Sequence, residues 1–277
     1  MRLLNIELHK LRYNRSVKVI SIVYFVLITF IAFIASVEFN FGDFHFRVAD
    51  QGIFNFPFIW HFNTYIAAIL KLFLAIVIVS MISNEYSYRT LKQNLIDGLN
   101  KKEFILSKFL TVLLFAAAST FFIFIVSLIL GLIFSDYNEI GIIFSGLEYI
   151  GAYFLKLTAF FSFCLFLGVM VKRSAFALGF LIVWQVIEWL AYSVMKWRVF
   201  RDSDVAESVA QFFPLAAMSN LIKEPFSRLG VVQTAATQLG ESFTKGYGVG
   251  LLNVFIVLIW TCIFIYGSYV ILKKRDL

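Results

Sequence analysis

The sequence has 277 residues, of which 61% are hydrophobic and only 15% are charged, and its formal net charge is +7. With a mean hydropathy of +0.86 it differs from soluble proteins, in which about a quarter of the residues are charged. We therefore predict a polytopic membrane protein. The 34 Phe against three Pro favour long helices over the alternating strands, each of about ten residues, of a membrane barrel.

The N-terminal segment, residues 1–16, has the pattern of an amphipathic helix. Met1, Leu4, Leu8 and Leu11 recur at helical spacing, and a polar set lies roughly opposite them: Arg2, Asn5, His9 and Arg12. A helix of this kind lies in the membrane interface. The alternative is a plain basic flank before the first span, and the pattern leaves both interpretations open.

Six apolar segments are long enough to cross about 30 Å of hydrocarbon. They lie near residues 17–37, 62–83, 106–134, 150–171, 174–195 and 248–272. The predicted fold class is therefore all-α, with residues 1–277 forming a single transmembrane domain of six helices.

Two charged residues within these segments need an explanation, because a lone charge near the bilayer centre costs about 2.5–3.5 kcal/mol even on lenient scales. Lys71 lies in the second segment and Glu188 in the fifth, at similar depths from their outer ends. We predict that both face the bundle interior and either pair or line a polar cavity. Two alternatives remain open: Glu188 is protonated or reaches the surface near Trp189, and Lys71 bonds a backbone carbonyl.

The segment between the second and third spans, residues 84–105, is polar and contains a turn. Tyr88, Leu91 and Leu95 recur at helical spacing and predict a short helix with one apolar stripe. Gly98 tolerates the left-handed conformation found just past helix C-termini, so the helix is expected to end there.

A second helix is predicted directly after this turn. Asn100 is a suitable N-cap, and Glu103 stands three residues later, where its side chain can reach back to the cap amide. The chain then continues without a break into the third apolar segment. Force applied at the turn would therefore reach that span.

The distribution of Lys and Arg predicts the orientation of the chain. If the N-terminus is inside, the segments on the inner side are residues 1–18, 84–108, 172–173 and 273–275. These segments hold most of the 24 basic residues. Cytoplasmic loops carry such an excess, so both termini and the 84–105 segment are predicted to be cytoplasmic. Residues 196–247 are then outside, and the apolar portion around Pro214 is expected either to fold back against the outer leaflet or to cap the spans.

Several motifs do not occur in the sequence. There is no GxxxxGK[ST] loop and no GxGxxG, so nucleotide binding through a glycine-rich loop is not predicted. Neither HExxH nor GxSxG occurs, and the two cysteines, Cys164 and Cys262, both lie in apolar segments. We predict neither a catalytic site nor a metal site.

Together, the basic amphipathic start, the six spans and the two-helix insertion resemble the permease subunit of type 2 ABC exporters. The resemblance covers the chain in architecture and about 28 residues in motif. Members of that family carry an acidic residue before Thr-(Leu/Ile), a turn, and an aliphatic-x-x-(Ser/Ala)-Lys entry to the third span. The corresponding positions here are Glu85, Thr90-Leu91, Asp97-Gly98 and Ile105-x-Ser107-Lys108.

The resemblance implies that the 84–105 segment couples the chain to a separate ATPase subunit, which would bind ATP and Mg²⁺. The residues it assigns to this contact are Glu85, Tyr88, Arg89, Leu91, Lys92 and Leu95. It also implies that the second and fifth spans line the translocation path, which would place Lys71 and Glu188 on it. A lysine in the middle of the second span departs from the family's pattern.

The resemblance further implies a second permease copy or relative, contact with membrane lipid, no nucleic acid, and a bacterial cell membrane. Two other classes remain open at this point. One is a membrane enzyme that acts on lipids through an intramembrane polar pair. The other is a membrane anchor or sensor that recruits a cytoplasmic partner. The apolar interior favours a lipid-like or amphipathic cargo.

Overall fold

The computed structural model describes residues 2–41, 44–47, 51–137, 139–201, 205–238 and 246–275. Helices dominate this part of the chain, which confirms the all-α class. One short antiparallel pair, β1 (Glu38–Phe41) with β2 (Phe44–Arg47), follows the first long helix. The helices are α1 (Arg2–Tyr13), α2 (Arg15–Ser36), α3 (Phe58–Ile69), α4 (Lys71–Ser87), α5 (Thr90–Ile96), α6 (Lys101–Phe134), α7 (Ile140–Ile143), α8 (Glu148–Val171), α9 (Ser174–Val194), α10 (Val205–Ala210), α11 (Pro214–Asn220), α12 (Gly230–Gln238) and α13 (Leu251–Lys273).

Five of the described helices, α2, α6, α8, α9 and α13, are long and apolar enough to cross a membrane. A sixth span results if α3 and α4 are counted together. The second predicted segment is thus not one straight helix, because α3 and α4 meet at a bend of 46°. Neither Pro nor Gly stands at the bend, where Leu70 closes the last turn of α3 through a bond from its amide to the carbonyl of Ala67.

Helix α8 occupies the centre of the bundle and is buried along most of its length. It packs against α3, α4, α6, α9, α11 and α13. Buried hydroxyls add specificity to this packing: Tyr24 of α2, Ser119 of α6 and Tyr153 of α8 bond one another at 2.5–3.0 Å. Because a buried hydroxyl without a partner is costly, this triad favours one arrangement of the three helices.

The turn between the second and third spans follows the predicted pattern on its C-terminal side. Gly98 has a φ of +96°, and Asn100 and Glu103 form a reciprocal capping box at the start of α6. Helix α6 then runs unbroken to Phe134, which confirms that the second helix of the insertion continues into the third span.

The N-terminal side of the turn differs from the prediction. Arg89 adopts a left-handed φ of 55°, and α5 begins only at Thr90. Tyr88 therefore lies before the helix and does not share a stripe with Leu91 and Leu95. The sequence gives no sign of this, since Arg rarely adopts a positive φ.

Two ends of the bundle can be distinguished by the elements they hold. The α5 end contains α1, α5 and the C-termini of α4, α8 and α13, with Ser83 of α4 donating to the carbonyl of Lys172 after α8. The opposite end, called the α11 end, contains α7, α10, α11 and α12. Here α11 packs on α8, α9 and α13, which agrees with the second of the two expected positions, a cap on the spans.

Candidate functional site

A cluster of four charged side chains lies at the α5 end and is called the charge cluster: Glu7, Lys10, Glu85 and Lys108. Lys108 of α6 donates from Nζ to Oε2 of Glu7 at 2.6 Å and to Oε1 of Glu85 at 2.5 Å. Lys10 of α1 adds a bond to Oε1 of Glu85 at 2.9 Å. Glu7, Glu85 and Lys108 are all buried. Each charge therefore has a partner, as buried ions require.

Glu85 also holds α5 in place through its second carboxylate oxygen. Oε2 accepts hydrogen bonds from the Thr90 hydroxyl at 2.5 Å and from the Asn94 side-chain amide at 3.2 Å. These two residues lie one turn apart on α5, facing the last turn of α4. One carboxylate thus joins α1, α4, α5 and α6, and displacement of α5 disturbs all four.

The six residues assigned to partner contact divide into two groups by position. Glu85 and Leu91 are buried and Leu95 is half-buried, all facing the chain's own core. Tyr88 is 74% exposed, and Arg89 and Lys92 are exposed as well. Leu91 and Leu95 thus anchor α5 to its own bundle in this structure.

Sequence reasoning did not select Ile96, which ends α5 and is 71% exposed. It lies outside the i, i+4 stripe that places Leu91 and Leu95 in the core, and so carried no periodic signal. Tyr88, Arg89 and Lys92 are exposed as well, so this end of the protein exposes two large apolar side chains and two cations. This set of four, Tyr88, Arg89, Lys92 and Ile96, is called the α5 face.

The C-terminus is fastened to the same end. Lys101 at the start of α6 donates to the carbonyls of Lys273 and Arg275 at 3.3 and 2.8 Å. Arg275 in turn donates to the carbonyls of Val169 and Met170 at the end of α8, at 2.5 and 2.8 Å. The cations thus satisfy helix C-terminal carbonyls, as expected from the helix dipole.

A cavity of about 1100 Å³ lies towards the α11 end, between α4, α8, α9 and α11. Both charged residues that the sequence singled out, Lys71 and Glu188, line it. Lys71 is the first residue of α4, directly after the bend, and its Nζ lies 4.5 Å from the centre of the Phe160 ring.

Glu188 does not pair with Lys71, and its carboxylate instead caps α11. Oε1 accepts from the Leu215 amide at 3.1 Å and Oε2 from the Ala216 amide at 3.0 Å. The Trp184 indole adds a third bond to Oε1 at 2.7 Å. Pro214, which has no N–H, occupies the first position of α11, so the Leu215 and Ala216 amides are the first backbone donors of that helix. Negative charge at a helix N-terminus is stabilising.

Two further lysines line the cavity. Lys156 of α8 is buried, and its Nζ lies 3.4 Å from the carbonyl of Ser219. Lys223 donates to the carbonyl of Gly246 at 2.6 Å. The only signal for Lys156 in the sequence is a charge in an apolar segment, which does not show which way the side chain points.

The second carboxylate at the cavity, Glu207 of α10, is bound to Lys196 at 2.9 Å. That hydrogen bond lowers the pKa of Glu207 from its ordinary value. Nearby, His61 of α3 stacks on Tyr149 at 4.4 Å and bonds the carbonyl of Lys223 at 2.9 Å. Within the described ranges no group of three His, Cys, Asp or Glu is placed to hold a metal ion.

A bundle of apolar spans with a tethered polar helix at one end and a charged cavity towards the other is the architecture of a multi-pass membrane protein. Residues 3–188 match the model of the family described as ABC-2 family transporter protein. Since the match covers more than half of the chain, the protein belongs to this family and is a membrane component of an ABC transporter. A comparison with proteins of curated function gave no match.

Proposed function

We propose that the protein is the permease subunit of an ABC exporter. In this proposal a separate ATPase subunit binds ATP and Mg²⁺, and its closure drives alternating access in the permease. The observation that supports it best is the position of α5, which presents an exposed face while its other side is held by Glu85 through Thr90 and Asn94.

The α5 face has the composition of a docking site. Tyr88 and Ile96 supply apolar anchors of the kind that dominate protein interfaces, and Arg89 and Lys92 supply charges that orient a partner. Leu91 and Leu95 support the face from behind, because their contacts with the core fix the direction of α5. Glu85 belongs to the support as well.

The charge cluster offers a route for movement from α5 to the spans. A partner that moves α5 also moves Glu85, and with it Lys108 of α6 and Lys10 of α1. Such a partner selects between two arrangements of the bundle by binding one of them more tightly. The bend between α3 and α4 lies in the same span as Glu85.

A second permease copy, or a relative, completes the proposed assembly in a bacterial cell membrane, with both termini in the cytoplasm. Helix α9 supports this, since Val183, Ile187 and Leu190 are exposed along its outer side and only three of its described side chains are buried. Lipid contacts the remaining apolar surface. Nucleic acid has no part in this function.

The test is co-purification of the tagged chain with an ABC ATPase subunit expressed together with it. The double substitution Tyr88→Ala with Ile96→Ala is expected to release the ATPase, because both side chains are exposed and their loss leaves the core intact. Ile140→Ala is the matched control, since Ile140 is 75% exposed at the α11 end. Equal retention of the ATPase by all three proteins would contradict the proposal.

A further inference from the structure

The cavity at the α11 end holds three lysines, Lys71, Lys156 and Lys223. None of them has a carboxylate within ion-pair distance among the described residues. Lys71 and Lys156 lie on the same wall region, because Lys71 Nζ is 4.5 Å from the ring centre of Phe160, which follows Lys156 by one turn of α8. Positive charge in a membrane-embedded cavity is costly without a counter-ion, so the arrangement favours an anion from outside the chain.

The two carboxylates at the cavity do not fill this role. Glu188 uses both oxygens on the amides of Leu215 and Ala216 and on the Trp184 indole. Glu207 is paired with Lys196. Both acids therefore have structural partners, and neither neutralises a lysine of the cavity.

The rim of the cavity has the opposite character. Ile69 and Leu72, on either side of the α3–α4 bend, and Ile182, Val186 and Trp189 of α9 line it and are exposed to a large extent. These side chains belong to the apolar surface of the bundle, which can contact a hydrocarbon chain. A ligand that fits must therefore carry an anionic head for the lysines and an apolar chain for the exposed side chains of the α3–α4 bend and α9.

We propose that this cavity binds an anionic amphiphile, its phosphate or carboxylate head on Lys71 and Lys156 and its chain on the exposed side chains of the α3–α4 bend and α9. Lysine offers three donors with a full positive charge, and hydrogen bonds to an ionised acceptor are about twice as strong as neutral ones. The bend adds to this, because it places the N-terminus of α4, the positive end of the helix dipole, in the wall of the cavity. That the amphiphile is the exported cargo rests on the proposed function.

Trp189 on the rim provides the measurement. The full chain in non-ionic micelles is titrated with dibrominated phosphatidylglycerol or with dibrominated phosphatidylcholine of the same acyl chains, because bromine quenches tryptophan on contact. The Trp189→Phe protein gives the signal to subtract. We expect half-quenching of the Trp189 component at an anionic lipid fraction about tenfold lower than that of the zwitterionic lipid.

Lysine variants show whether the preference comes from the cavity. The double substitution Lys71→Gln with Lys156→Gln is expected to abolish the preference for the anionic lipid. Two controls are expected to retain this preference: Lys71→Arg, which keeps the charge, and Lys102→Gln, at an exposed lysine of the α5 end. Equal quenching by the two lipids in the unsubstituted protein would overturn the proposal. So would a preference that survives the double substitution, since that is general enrichment of anionic lipid around the bundle.

Competition separates the head from the chain. Dodecyl phosphate is expected to displace the brominated anionic lipid, and inorganic phosphate at the same concentration is not. Equal displacement by inorganic phosphate would show a plain anion site and contradict the amphiphile. These measurements need neither ATP nor the ATPase subunit, so a negative result leaves the proposed docking at α5 untouched, and loss of docking leaves the lipid preference intact.

Discussion

Lys108 of α6 and Glu85 of α4 lie 2.5 Å apart, Nζ to Oε1, in a buried site. Two long helices are therefore joined by an ion pair close to the point where the chain between them leaves the bundle. Because Glu85 holds α5 with its other oxygen, the same pair fixes the position of the surface helix. The first two predictions concern this relationship.

Replacing Lys108 by Met is expected to destabilise the protein by about 3–5 kcal/mol, because it removes the buried cation that Glu7 and Glu85 share and leaves Lys10 as the one cation of the charge cluster. Thermal unfolding of the detergent-purified chain measures the effect. Lys102→Met, one and a half turns away and exposed, is the control and should unfold close to the unsubstituted protein. Matching unfolding curves for the two variants would show that the buried ion pair does not form.

Glu85→Gln tests coupling without removing the α5 face. The amide keeps an oxygen that can accept from Thr90 but loses the charge that binds Lys10 and Lys108, at about 1–3 kcal/mol for the weakened bonds. We expect the ATPase subunit to stay bound in co-purification, while ATP hydrolysis no longer responds to the permease. Loss of the ATPase from this variant would contradict the separation of coupling from docking.

The cap on α11 can be tested by hydrogen exchange. Glu188→Ala removes the acceptor of the Leu215 and Ala216 amides, and we expect these amides to exchange about tenfold faster, the equivalent of about 1.4 kcal/mol. Gln185→Ala, on the same cavity wall one turn earlier, is the control and should leave them protected. Unchanged protection after loss of Glu188 would mean that packing alone holds α11.

Gly131 marks a close contact between α6 and the loop before α3. A Cβ there would overlap the ring of Phe56, which is buried, so Gly131→Ala is expected to destabilise the protein by about 1–3 kcal/mol. Adding Phe56→Leu to the Gly131→Ala protein should recover part of the lost stability, because it removes the ring that the new Cβ would overlap. Gly151→Ala provides the comparison, since nothing lies within 4 Å of a Cβ at that glycine; thermal unfolding of the four proteins gives the order.

The predicted orientation is open to cysteine labelling in intact cells. Tyr88→Cys and Ile140→Cys are made in a Cys262→Ala chain, which leaves Cys164 buried. With the termini inside, a membrane-impermeant maleimide should label the Ile140→Cys protein in intact cells and the Tyr88→Cys protein only after permeabilisation. The reverse pattern would invert the chain and place the α5 face out of reach of a cytoplasmic ATPase.

Features that depend on neighbours along the chain were predictable. The apolar segments gave the all-α class, and Asn100, Glu103 and Gly98 marked the start of α6 and the end of the turn before it. Lys71 and Glu188 stood out because a charge in an apolar segment needs a partner. In each case the physical signal is local, since caps, turns and hydropathy act within a few residues.

Only the tertiary structure decided which polar groups meet. Glu7 and Lys108 lie 101 positions apart in the sequence, and no periodicity relates them. The similar depths of Glu188 and Lys71 suggested an ion pair, but the carboxylate of Glu188 instead accepts from the Leu215 and Ala216 amides of α11. The direction of Lys156 and the partners of Glu85 on α1 and α6 follow from packing between segments that are distant in the sequence, which hydropathy, caps and turns do not encode.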